Sequence, residues 1–140
     1  MDKGKLIGLA VLAVFFLIII YFFVSAGSAK WEVPSYITGE VKEIYEWAAT
    51  EEGKALLEDV PCYCGCKFEG HSHARHCFWR DDGTFDKHGV TCAVCLDIAK
   101  RTKKMSEEGK DICEVRKTID MFYEPNKHLG TETPMPEGCV

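Results

Sequence analysis

The chain has no cysteine before residue 62, no internal repeat, and no stripe of lysine and arginine interleaved with aromatics. The missing basic stripe, with a formal net charge of −5, argues against a nucleic-acid partner and against electrostatic capture by an anionic membrane surface. Also missing are a glycine-rich phosphate loop, a nucleophile elbow and a His-Glu-x-x-His pair. The commonest routes to phosphoryl transfer, acyl transfer and zinc-dependent hydrolysis therefore lack their residues. Acidic side chains are plentiful but scattered, which reads as solvated helical surface. At 140 residues there is room for one domain.

What is present begins with an uncharged run from Leu6 to Val24, interrupted only by Gly8. As a helix rising about 1.5 Å per residue, it would approach the ~30 Å of a bilayer hydrocarbon core. The expectation is a transmembrane anchor over 6–26, preceded by a cytoplasmic tail at 1–5 and followed by a linker at 27–35. Lys3 and Lys5 precede the run and Lys30 follows it, which places the N-terminus in the cytoplasm and the remainder outside a single-pass cell-membrane anchor. A signal peptide cleaved near Gly27-Ser28-Ala29 is the rival, but its apolar core usually spans only ~7–15 residues. Trp31 reads either as an anchor at headgroup level or as an ordinary core residue.

Beyond the linker the periodicity is helical. Val41, Ile44, Tyr45 and Ala48 recur at i, i+3, i+4 and i+7. Thr50 with Glu51 and Glu52 marks a fresh helix start, closed before Pro61. A further helix is expected from about Cys92 to Met105, with Thr91 as its N-cap and Gly109 as its end. The last runs through Ile112, Val115, Ile119 and Tyr123 to Pro125, with Arg116 and Asp120 as a surface i,i+4 pair. Residues 61–91 read as irregular, with a tight turn at Asp81-Asp82-Gly83. The fold class expected is mainly α: one N-terminal transmembrane helix, then a three- to four-helix domain over 36–125 with a Cys/His-rich loop. A flexible Pro-containing tail follows at 126–140. The modest apolar content outside the first run calls for a staple of metal or disulfide.

All 8 cysteines fall in this second part. Cys62, Cys64 and Cys66 alternate, so an extended segment turns them to one face, and Gly65 lets the backbone curl to gather them. Cysteines two apart rarely bridge each other, because so short a loop is strained. Such a cluster suits one soft metal ion or a small group of them. The competing reading pairs each with a distant cysteine, the default in an oxidising compartment. Cys92 and Cys95 form a Cys-x2-Cys pair at a helix start, which is half of many zinc sites. It is also the spacing of thiol–disulfide oxidoreductases, although those need a βαβ setting that is not evident. His71, Cys77 and His88 lie near the thiols in sequence and qualify as ligands or as supports for ligands.

The run Pro61-Cys62-Tyr63-Cys64-Gly65-Cys66 is followed by Gly70-His71, Cys77-Phe78, His88-Gly89, Cys92, Cys95-Leu96-Asp97-Ile98-Ala99, Arg116, Ile119-Asp120 and Tyr123. In these features, and in a Thr/Pro-rich end at Thr131 to Pro136, the chain resembles the PCYCGC-motif family over about residues 35 to 136. The resemblance implies a small surface domain of the kind found in bacteria and archaea, often as a lipoprotein. It also implies six recurrent cysteines, matching Cys62, Cys64, Cys66, Cys77, Cys92 and Cys95. It implies no activity. The chain departs from the pattern in lacking a lipobox cysteine and in carrying Cys113 and Cys139, for which a private disulfide is one option.

The leading functional expectation is a non-enzymatic protein that binds a thiophilic metal for trafficking or sequestration. Its thiolate set is Cys62, Cys64, Cys66, Cys92 and Cys95, with Cys77, His71 and His88 as further ligands or their supports. Copper comes first, because clustered soft sulfurs favour Cu(I), and zinc next. The alternatives are a disulfide-stapled accessory subunit of a membrane complex and a thiol–disulfide oxidoreductase using Cys92 and Cys95.

Overall fold

The computed structural model describes residues 12–20 and 31–139, and it divides into two units, Met1–Lys30 and Trp31–Val140. In the first unit, residues 12–20 are helical with exposed side chains. Among the described residues no helix is long and apolar enough to cross a membrane. This overturns the expected transmembrane helix and, with it, the single-pass placement argued from Lys3, Lys5 and Lys30. At about 1.5 Å per residue the described piece reaches only ~14 Å, less than half of a hydrocarbon core. The rest of the expected span, 6–11 and 21–26, lies outside the described residues, as do the expected tail at 1–5 and residues 27–30 of the expected linker.

The second unit is helical, as the periodicity implies. Its helices are α1 (Gly39–Ala48), α2 (Glu51–Glu58), α3 (His88–Thr91), α4 (Ala93–Glu107) and α5 (Ile112–Phe122). Short 3-10 turns occupy Cys66–Glu69, Ala74–Cys77 and Glu124–Leu129. The Asp81-Asp82-Gly83 turn brings Trp79 and Phe85 into one isolated antiparallel bridge. Capping explains two of the helix starts. Thr50 Oγ1 accepts the Gly53 N–H at 3.0 Å and an Asp111 carboxylate oxygen accepts the Glu114 N–H at 2.9 Å, each cap contributing about 1 kcal/mol. Cys92 rather than Thr91 occupies the N-cap position of α4, without a side-chain capping bond, because His88–Thr91 already forms its own short helix. Gly109, at φ +79°, supplies the left-handed exit after α4.

The core joins loop to helices. Tyr45 on α1 is fully buried against Phe78 and Trp79 of the irregular segment. Trp79 Nε1 donates to the Tyr45 carbonyl at 2.8 Å, and the Tyr45 hydroxyl donates to the Asp86 carbonyl at 2.7 Å. Ile44, Leu57, Val60, Ile98, Val115 and Ile119 are the core's larger aliphatic members. Burial of these side chains, each contributing about 1.5–3 kcal/mol, fixes the loop on the helices.

Arg116 differs from its sequence reading. It is 7% exposed. It donates to Asp120 at 2.8 Å, to the carbonyls of Asp59 and Pro134 at 3.0 and 2.7 Å, and to that of Thr133 at 3.1 Å. The planar fork of donors is suited to such multiple capture, and it joins the end of α2 to α5 and the C-terminal segment. That segment is tied down in two further places, where the sequence suggested a loose tail. The Thr131 N–H donates to the Cys62 carbonyl and the Cys62 N–H donates to Thr131 Oγ1, both at 2.9 Å. Thr133 Oγ1 donates to the Ser72 carbonyl at 2.7 Å. A Cys113–Cys139 disulfide then fixes the chain end to α5. The C-terminal segment thus acts as a clasp over the start of the cysteine loop.

Candidate metal centre

The cysteine loop starts where α2 stops. Pro61 leads into extended backbone, so Cys62 and Cys64 turn towards the same side. Gly65 then adopts φ +87°, a conformation that costs glycine nothing, and reverses the chain into the turn at Cys66. The Ala74–Cys77 turn delivers Cys77, and α3 begins with His88. Cys92 occupies the N-cap position of α4 and Cys95 lies in its first turn.

These elements converge on one pocket of sulfur. The Sγ atoms of Cys62, Cys64 and Cys95 form a triangle with all three edges at 3.4 Å. Cys66 and Cys77 approach to 3.8 Å. A disulfide needs about 2.05 Å, so these contacts are not bonds, and all six cysteines are free. Sulfurs around a tetrahedral zinc ion, at about 2.3 Å from it, lie ~3.8 Å apart, so the spacing fits thiolate ligation with little adjustment. Four of the six are buried: Cys62 and Cys77 are fully inaccessible, and Cys66 and Cys95 are nearly so, while Cys64 and Cys92 are partly exposed. Buried thiols packed this closely, with no disulfide, suit a soft cation.

The two histidines complete the pocket. His88 Nε2 lies 3.4 Å from the Cys64 sulfur, and His71 Nδ1 lies 3.4 Å from that of Cys77. Donor atoms within 4.8 Å of one another fall into overlapping groups: Cys64–His88–Cys92–Cys95, Cys62–Cys64–Cys66, Cys62–Cys77–Cys95 and Cys66–His71–Cys77. All eight donors expected from the sequence are brought together in this way.

Negative charge settles unevenly among the thiols. Hydrogen bonding from Cys62 holds Cys64 far below the ordinary thiol range, and Cys62 likewise holds Cys66 low. Cys62 is pushed up by its contact with Cys64, while Cys77 and Cys95 are pushed up by contacts headed by Cys62. Within the cluster, Cys64 and Cys66 are therefore favoured as thiolates over Cys62, Cys77 and Cys95. For His88, burial acts to lower the pKa, but the hydrogen bond to Cys64 and the charges of Cys64 and Glu69 outweigh it and raise the value. The N–H groups at the start of α4 add a partial positive charge beside Cys95 that favours thiolate.

Sequence reasoning missed three features. Glu69 lies behind His88 and Asp86 behind His71, yet both read as surface acids because nothing in their spacing links them to a histidine. A separate half-buried group, His73–His76–Asp81, lies outside the sulfur pocket. Its signal was the His-x2-His spacing. Burial holds His73 down at about 4, and the charge of nearby His76 adds to that effect.

Residues 27–136 match a family described as a protein of unknown function with PCYCGC motif. No curated protein and no solved structure matches the chain.

Proposed function

Since the chain belongs to the PCYCGC-motif family, whose function is unknown, we propose a function from the site itself: the domain binds thiophilic metal, copper(I) or zinc, for sequestration or transfer. The observation that carries this reading is the three-sulfur triangle of Cys62, Cys64 and Cys95 at 3.4 Å, inside a pocket of six unpaired cysteines. Cys62, Cys64, Cys66, Cys92 and Cys95 supply the thiolates, with Cys77, His71 and His88 beside them. Soft sulfur favours Cu(I), and the presence of imidazole keeps zinc close behind. The metal is cargo or a structural ion in this reading, and no bond-making step is assigned to the protein.

Two facts weigh against the rival readings. The six family cysteines are unpaired while the one disulfide lies outside them, which disfavours a disulfide-stapled accessory domain. Cys95, which would have to resolve a mixed disulfide formed on Cys92, is buried and in contact with Cys62 and Cys64, so its sulfur is engaged in the cluster instead. The test is elemental analysis of protein purified without added metal, with thiols counted before and after denaturation. Bound copper or zinc, and thiols that react only after chelation, are expected. Metal-free protein with no reactive thiol after denaturation would favour the disulfide-stapled domain instead.

A further inference from the structure

Eight donors exceed the needs of one ion, since a zinc ion in a protein site takes four. The pocket contains two groups with no common member. Cys64, His88, Cys92 and Cys95 form one, and Cys66, His71 and Cys77 form the other. Cys62 lies between them, grouped with Cys64 and Cys66 on one side and with Cys77 and Cys95 on the other.

Each group has its own histidine, and both histidines are set up in the same way. His88 turns Nε2 to the Cys64 sulfur and Nδ1 to a Glu69 carboxylate oxygen, each at 3.4 Å. His71 turns Nδ1 to the Cys77 sulfur at 3.4 Å and Nε2 towards Asp86 at 3.6 Å. A carboxylate thus stands at ion-pair distance behind the far ring nitrogen of each histidine, the position from which it can orient a metal-bound ring, and His71 Nε2 is buried with no hydrogen-bond partner of its own. Asp86 is itself held in place, accepting from Arg80 at 2.7 Å and from the His88 N–H at 2.8 Å. Charge points the same way. Six thiolates, four of them buried, around one divalent ion would leave four negative charges without a partner, and a second ion halves that excess.

We propose that the pocket holds two ions, one on Cys64, His88, Cys92 and Cys95 and one on Cys66, His71 and Cys77, with Cys62 as the thiolate between them. The proposal rests on the metal-binding reading above. The test is titration of the reduced full chain with Co(II) and with Zn(II), counting bound metal after desalting. Two equivalents are expected for the unaltered protein. His88→Ala with Cys92→Ser should leave one equivalent, and His71→Ala with Cys77→Ser should also leave one. Glu69→Gln should weaken only the first ion, by roughly tenfold or more. One equivalent in the unaltered protein would overturn the two-ion inference and leave metal binding standing, whereas no binding would remove both. Loss of all metal from either pair of substitutions, with the helical circular dichroism retained, would also overturn it by indicating a single centre. Should a substituted chain lose its helical signal, the di-cobalt form of the unaltered protein decides. Magnetic coupling between the ions supports the proposal, and two uncoupled ions overturn the shared pocket.

Discussion

Two sets of cysteines in this chain meet opposite fates. Cys113 and Cys139 stand 26 residues apart in sequence and are bonded. Cys62, Cys64 and Cys66 lie within one short loop, have sulfurs as near as 3.4 Å, and are bonded to nothing. The difference shows that closeness in space does not by itself make a disulfide site. The distant pair closes a loop and so restricts the unfolded chain, which is where a disulfide acts. The crowded set would gain little by pairing within itself. Its sulfurs instead meet those of Cys77, from the Ala74–Cys77 turn, and of Cys95, at the start of α4. The two sets are also linked, since the disulfide anchors the segment whose Thr131 clasps Cys62.

The largest effect that would separate the two sets is chelation. If the cluster is a metal site, stripping the ions from reduced protein removes a binding free energy on the order of 10 kcal/mol from the folded state. The cooperative thermal transition should then fall or vanish by circular dichroism. A domain indifferent to chelator would mean that the aromatic core around Tyr45 suffices alone.

Next in size is the disulfide. Replacing Cys113 and Cys139 by alanine should lower stability by about 3.5 kcal/mol in chemical denaturation, the loop-entropy value for such a separation. Metal stoichiometry should not change, and a drop in it would show that the clasp is part of the site.

Gly89→Ala, beside His88, probes the frame of the cluster. A Cβ there would lie 2.5 Å from the Phe78 ring and 2.9 Å from the Tyr45 hydroxyl, so a cost of about 1–3 kcal/mol is expected by thermal denaturation. No loss would mean that α3 can move freely over the core.

Smallest is a pH effect at Asp97 on α4. Burial acts to raise the Asp97 pKa, but hydrogen bonds from Arg101 and Tyr123 outweigh it and hold the carboxyl below its usual range. A depressed folded value stabilises the fold above the unfolded pKa of about 3.9 and loses that contribution as pH falls through the folded value. Asp97→Asn should flatten the acid limb of stability by a few tenths of a kcal/mol, with the pair partly exposed. An unchanged limb would assign the acid sensitivity elsewhere.

Much of the domain was legible in the sequence because its signals are local. Thr50 before two glutamates is a helix start whatever surrounds it, and Cys-x-Cys-x-Cys around a glycine forces sulfurs together within a few residues. Arg116 was misread because i,i+4 spacing reveals Asp120 but not the carbonyls of Asp59 and Pro134, which arrive from distant parts of the chain. The tail was misread for the same reason. Thr131 is buried only because Cys62 offers it a reciprocal pair of hydrogen bonds. The apolar run from Leu6 to Val24 suggested a span from hydropathy alone, whereas a crossing also needs a continuous helix of full length, which is not found among the described residues. Glu69 and Asp86 could not be distinguished from surface acids until the histidines they back were placed.

The central claim is that the crowded cysteines, and not the bonded pair, hold metal. Its most direct test is titration of reduced protein with Cu(I) and Zn(II) against a competing chelator, comparing the unaltered chain with Cys64→Ser and Cys139→Ser. Cys64 touches Cys62, Cys95 and His88 at once, so its loss should weaken binding well over tenfold, more than about 1.4 kcal/mol. Cys139→Ser should leave the affinity unchanged. Equal losses at the two positions, or no detectable binding in the unaltered protein, would contradict the account.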